Sequence, residues 1–146
     1  MMQQPENRYR SEDEIRALVR SFEDCTLPDD AFDHRAHLAV AVWYLYGMTA
    51  PQAAERMREG LLRFLAHYEV DPEKYNETIT QFWVRRLERL LSATDPALPL
   101  PERANQAIER AGDSQVIFTY YTRERVFSEE GRTGWVEPDL KSSDEV

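Results

Sequence analysis

The segment from Phe32 to Gly47, FDHRAHLAVAVWYLYG, constrains the fold more than any other part of the chain. The part after Asp33 is apolar on almost every side of a helix, Asp33 is a residue type that caps helix starts, and the segment ends at a glycine. A helix that lacks a polar face must be buried on all sides. We therefore predict a central buried helix from His34 to about Tyr46, enclosed by other helices.

Amphipathic segments on both sides of this helix predict its neighbours. SEDE, starting at Ser11, is a capping box, and apolar residues follow it at helical spacing to near Cys25. Thr49 is the predicted cap of a third helix, and a fourth starts near residue 75 or 76 and runs to about 91. The third helix has an inner apolar stripe and a charged outer face, which comprises Glu55, Arg56, Arg58, Glu59 and Arg63.

The last third of the chain is less regular. Ser92 to Pro101 is rich in proline and is predicted to be a non-helical connection, followed by a short helix from Glu102 to Ala111. SQVIFTYYTRERVF has the composition of a strand, but no second segment offers a partner strand, so we interpret it as helical. Ser128 is expected to cap one more turn.

These patterns predict an all-α fold, a single-domain bundle of five to six helices with a proline-rich crossover. The 146 residues fit one domain. We expect a helical domain over residues 11–140, a flexible N-terminal arm over 1–10 and a flexible tail over 141–146.

Bulk properties exclude some classes of partner. The net charge of −9 argues against nucleic acid and against anionic membranes, which both require clustered basic residues. Cys25 is the only cysteine, and MMQQPENRYRSEDE lacks the apolar core of a signal peptide. The longest apolar run, Leu38 to Tyr46, is too short to span a bilayer. We therefore expect a cytoplasmic protein.

Two of the three histidines, His34 and His37, lie three residues apart at the start of the central helix. At about 100° per residue they share the side of Leu38, Ala41 and Leu45. Neighbours at this spacing can reach one ion, and neutral imidazole is a common ligand of zinc and iron. Structural packing of both rings is the alternative interpretation.

The start of the fourth helix is the expected source of a third ligand. Glu77 is chemically the better ligand, whereas Asn76 is better aimed at the core. The sequence leaves the choice between them open.

Three segments together resemble a family of small bacterial and fungal helical proteins that has no established activity. The segments are FDHRAHLAVAVWYL, KYNETITQFW and YYTRERVFSEEGRTGWVEPDL, which correspond to the motifs F-x-H-x-x-H-L, Y-H-E-T and V-E-P-D-L. The resemblance implies that His34, His37 and Glu77 are the site residues. Asn76 stands where relatives carry histidine, so a three-histidine site would here become two histidines and one carboxylate, as in mononuclear iron oxygenases.

The leading hypothesis is a metal or small-molecule site between the starts of the second and fourth helices, in a protein that could be a metal-dependent enzyme. His34, His37 and Glu77 would hold a divalent iron or zinc ion. In catalysis, Glu77 would act as a general base and Asn76 would orient a small-molecule substrate. The alternative is a non-catalytic helical interaction protein that forms a homodimer.

Overall fold

A computed structural model describes residues 8–146 and confirms the all-α prediction. Within this range the chain forms seven α-helices, of which five are long, and no β-strand. Their bounds are α1 (Glu12–Glu23), α2 (His34–Gly47), α3 (Ala50–His67), α4 (Glu77–Ser92), α5 (Leu100–Ala111), α6 (Arg123–Val126) and α7 (Glu129–Thr133). The proline-rich crossover lies between α4 and α5.

Helix α2 occupies the centre of the bundle, as its composition predicts. It packs against α1, α3, α4 and α5. Its residues from Leu38 to Val42 are at most 2% exposed. Burial on all sides explains why this segment carries no polar face.

Side-chain caps start the helices where the sequence indicates. The Ser11 hydroxyl accepts from the backbone N–H of Glu14 at 3.1 Å, and the Asp33 carboxylate accepts from that of Ala36 at 2.9 Å. Thr49 forms a capping box that begins α3. These caps satisfy N–H groups that have no partner within the helix.

Two predictions for the last third of the chain need correction. Helix α5 begins at Leu100 rather than at Glu102, and Pro101, predicted to lie outside the helix, belongs to its first turn. Proline is tolerated there because the first-turn N–H groups make no helical bond. The segment after α5 forms a 3-10 turn over Val116–Thr119 and then α6, instead of one helix. The predicted Ser128 cap is confirmed, and it starts α7.

The predicted domain limits of 11 and 140 stay a prediction, and residues 1–7 of the predicted arm lie outside the described residues. Tyr9 is half-buried, and its backbone exchanges two hydrogen bonds with the Asn105 side chain, at 3.0 and 2.7 Å. Val146 is buried. Within residues 8–146, no helix combines the length and the apolar character that a bilayer span requires.

Candidate ligand-binding site

Glu77 is the first residue of α4, and its carboxylate is held in place by three neighbours. It accepts hydrogen bonds from the Tyr75 hydroxyl at 2.6 Å and from Nε2 of Gln81 at 2.7 Å. The Arg58 guanidinium lies 3.7 Å from it, and the Glu77 side chain is only 9% exposed. A negative charge at this position is also favoured by the helix dipole. The sequence-predicted carboxylate is therefore a fixed group at the edge of the bundle.

Tyr75 keeps its proton and so acts as a permanent donor to Glu77. Burial, and then the hydrogen bond to the Glu77 carboxylate, raise the pKa of Tyr75 well above its usual value. A protonated phenol beside a carboxylate can only donate to it, which orients both side chains.

Asn76 has a structural role at the same helix start. Its Oδ1 accepts from the backbone N–H of Ile79 at 3.0 Å, which caps α4, and its Nδ2 donates to the Val126 carbonyl at 2.9 Å. The side chain is buried, with the residue 7% exposed. Both ends of the amide that was predicted to orient a substrate are engaged within the protein.

The two histidines lie against other parts of the bundle. Nε2 of His34 donates to the Gly112 carbonyl at 3.0 Å, and the His34 ring meets Trp83 edge-on with 4.8 Å between ring centroids. The His37 ring lies against Phe32 at 5.7 Å. Burial, followed by the nearby charge of His34, lowers the pKa of His37 to about 4, so His37 is neutral at pH 7.

His34 and Glu77 contact different parts of α4. His34 contacts Trp83, which lies six residues after Glu77, about 9 Å along the helix and roughly 240° around it. In residues 8–146, no group of three His, Cys, Asp or Glu side chains is placed to hold one metal ion. The predicted ligands are thus not arranged around one ion in the described residues.

Glu77 instead lines a cleft between α3, α4 and α7. The cleft has a volume of about 520 Å³. Its walls are Arg58, Leu62, Pro72, Tyr75, Glu77, Gln81, Arg132, Thr133 and Gly134. Neither histidine lines this cleft. The helices beside Glu77 are therefore α3 and α7, whereas the sequence predicts α2 there.

Two arginines face this cleft without hydrogen bonds to the described part of the protein. Arg58 lies 3.7 Å from Glu77 and 3.9 Å from Glu55, which is beyond hydrogen-bond distance. The guanidinium of Arg132 has neither an ion pair nor a hydrogen bond to any residue from 8 to 146, although Arg132 is half-buried.

The position of Arg132 depends on the attachment of α7 to α4. The Thr78 hydroxyl donates to the Gly134 carbonyl at 2.7 Å and accepts from the backbone N–H of Val136 at 3.3 Å. Gly131 permits the close approach of α7 to α6, since a Cβ there would lie 2.6 Å from the Arg125 carbonyl. The Thr78 contacts are non-local, so the sequence contains no local signal that Arg132 belongs beside Glu77. Arg58 was predicted only as part of an exposed helix face.

The fold and this site define the chain as an all-α helical bundle with a polar cleft at one edge. Comparison with family models, with curated proteins and with solved structures gave no match to this chain. The resemblance to a family of small bacterial and fungal helical proteins, which depends on the histidine, Y-N-E-T and V-E-P-D-L motifs, stays a prediction.

Proposed function

We propose that this protein binds a small organic acid in the cleft beside Glu77. The observation that supports this most directly is that Arg58 and Arg132 line one cleft. Arg58 has only two long ion pairs, at 3.7 and 3.9 Å, and the Arg132 guanidinium has neither an ion pair nor a hydrogen bond within residues 8–146. Guanidinium groups bind carboxylates through two parallel N–H···O bonds. The whole chain is acidic, with a net charge of −9, whereas the charged residues that line this cleft are two arginines and one glutamate.

Glu77 narrows the class of acid. A carboxylate has about four acceptor positions, and Tyr75 and Gln81 occupy two of them. A ligand hydroxyl could donate to a remaining position while the ligand's carboxylate pairs with an arginine. An acid without such a donor would bring a second carboxylate close to that of Glu77 with no hydrogen bond between them. We therefore propose a hydroxy acid as the ligand class.

Malate and succinate form a matched pair for testing this proposal, because they differ by one hydroxyl. We expect isothermal titration calorimetry at low ionic strength to show saturable binding of malate and at least tenfold weaker binding of succinate, since a hydrogen bond to a charged group contributes about 1.5–3 kcal/mol. Arg132→Gln should weaken malate binding by about tenfold. Arg89→Gln, on an exposed position of α4, is the control and should leave it unchanged.

Glu77→Gln tests the role of the carboxylate separately. It removes a negative charge from the cleft, so the affinity for succinate should rise, while the preference for malate should shrink. Absence of saturable binding of both acids would refute the proposed function. Equal losses from Arg132→Gln and Arg89→Gln would show that only the overall charge matters.

Metal binding by His34, His37 and Glu77 has less support from the structure. Neutral His37 is competent as a ligand, but no three His, Cys, Asp or Glu side chains within residues 8–146 are placed to hold one ion, and zinc sites need at least three protein ligands. We expect mass spectrometry of untagged protein to find less than one-tenth equivalent of iron or zinc. Stoichiometric metal that is lost in the His34→Ala, His37→Ala double variant would reverse this order of preference.

The homodimer alternative is supported by exposed apolar side chains. Among residues 8–146, four large ones are more than one-third exposed: Tyr46, Leu62, Phe127 and Leu140. Light scattering coupled to size exclusion measures the mass directly. A dimer that dissociates in the double variant Phe127→Ser, Leu140→Ser would support the interaction function, whereas a monomer at all concentrations would refute it.

A further inference from the structure

A second cleft lies on a different face of the bundle, where α1, the end of α2, α3 and the start of α5 meet. Its volume is about 610 Å³, within the range typical of small-molecule sites. None of the residues around the Glu77 cleft lines it. We name it the aromatic cleft, after the three aromatic residues Trp43, Tyr44 and Tyr46 in its wall.

The apolar part of the aromatic cleft comes mainly from the last turn of α2. Trp43 is half-buried, Tyr44 is 2% exposed and Tyr46 is 50% exposed, so the rings extend from the floor of the cleft to its rim. Met48 and Leu100 continue this surface. Flat aromatic walls of this kind favour planar ligands, which stack on them or pack against their edges.

The floor of the aromatic cleft is held in one arrangement by a polar cluster. The Tyr44 hydroxyl donates to the Glu23 carboxylate at 2.5 Å, and Arg56 pairs with the same carboxylate at 3.0 Å. The Arg56 guanidinium carbon also lies 5.0 Å from the centroid of the Tyr44 ring. Both the charge of Glu23 and that of Arg56 are therefore compensated within the protein.

Arg16 is likewise compensated. Its guanidinium pairs with Glu12 at 3.1 Å and with Asp13 at 2.5 Å, and it lies 5.4 Å from the centroid of the Trp43 ring. Arg20, one turn further along α1, also lines the cleft, but it has no ion pair or side-chain hydrogen bond within residues 8–146. The cleft thus has three arginines, two glutamates and one uncompensated positive charge, on Arg20.

We propose that the aromatic cleft is a binding site for a planar aromatic acid. The ring of the ligand packs against Trp43 and Tyr46, and its carboxylate pairs with Arg20. This combination recognises two features at once, planarity through the α2 side chains and negative charge through α1. The site is independent of the Glu77 cleft, and either proposal can fail without the other.

The test uses three probes that separate the two features. 2-Naphthoate is planar and anionic, 2-naphthalenemethanol is planar and neutral, and cyclohexanecarboxylate is anionic without a flat ring. Calorimetric titration of the full chain should show saturable binding of naphthoate and at least tenfold weaker binding of each of the other two. Equal affinity for naphthoate and cyclohexanecarboxylate, or no saturable binding of naphthoate, would overturn the proposal.

Variants assign the binding to this cleft. Arg20→Gln should lower naphthoate affinity about tenfold and leave that for naphthalenemethanol unchanged, whereas Tyr46→Ala should weaken both. Both residues are exposed, so the fold does not depend on them. Arg110→Gln, an exposed arginine on α5, is the charge-matched control, and Arg132→Gln should also have no effect on naphthoate. Naphthoate binding that is insensitive to Arg20→Gln would place the ligand elsewhere and overturn the proposal.

Discussion

Replacement of Asn76 by alanine distinguishes the structural role of this residue from the substrate-orienting role that the sequence suggests. The change removes the α4 cap, which costs about 1 kcal/mol. It also leaves the buried Val126 carbonyl without its 2.9 Å donor, which costs a further ~1–3 kcal/mol. We expect Asn76→Ala to lower the free energy of unfolding by about 2–4 kcal/mol.

Urea denaturation followed by circular dichroism measures this change, and two variants separate its parts. Ser11→Ala removes an exposed cap of α1 and no buried donor, so it should cost only about 1 kcal/mol. Asn76→Ser keeps a capping oxygen but does not reach Val126, and it should recover roughly 1 kcal/mol relative to Asn76→Ala.

The affinity for malate decides between the two roles of Asn76. Under conditions in which Asn76→Ala is folded, we expect its malate affinity to stay within about twofold of the unchanged protein, because both ends of the amide are bonded to the protein. A variant of normal stability that has lost ligand binding would refute our reasoning. So would a loss of stability no larger than that of Ser11→Ala.

Two further perturbations test the core. Gly60→Ala would place a Cβ 2.5 Å from the fully buried Phe22 ring and should destabilise the protein by about 1–3 kcal/mol in thermal melts, whereas Gly47→Ala, with nothing within 4 Å, should not. Between pH 6.5 and 4 the unfolded chain binds a proton at His37 that the folded chain does not, so stability should fall as pH falls through this window, by up to about 3 kcal/mol. His37→Leu should flatten that part of the urea-derived stability profile, and an unchanged slope would contradict the lowered pKa.

Most of the fold could be predicted from the sequence because the helix caps and the apolar composition act over a few residues. The caps at Ser11, Asp33 and Thr49 act on N–H groups within three residues, and the apolar composition of α2 specifies burial without reference to any partner. Even the error at Pro101 is a boundary error of two residues. Only the segment after α5 required tertiary information, because its short helices depend on packing against α4 and on the contacts of the tail.

The candidate site, in contrast to the fold, depends mainly on tertiary packing. Spacing along α2 correctly predicts that Leu38 and Ala41 are buried. Glu77, which the sequence indicates as a site residue, lines a cleft. Spacing within one helix does not show which face of a neighbouring helix packs against it. The packing of α2 against α4 places His34 against Trp83 rather than beside Glu77.

The sequence by itself therefore determined the helices α1 to α4, their starts and the buried centre of the bundle. Tertiary structure alone decided that Arg58 and Arg132 share a cleft with Glu77, and that Arg20 lies beside the aromatic end of α2. The physical reason is the sequence distance over which the two kinds of interaction act. Helix formation and capping are settled within one or two turns, whereas a binding site combines side chains from elements whose approach depends on the packing of the whole chain.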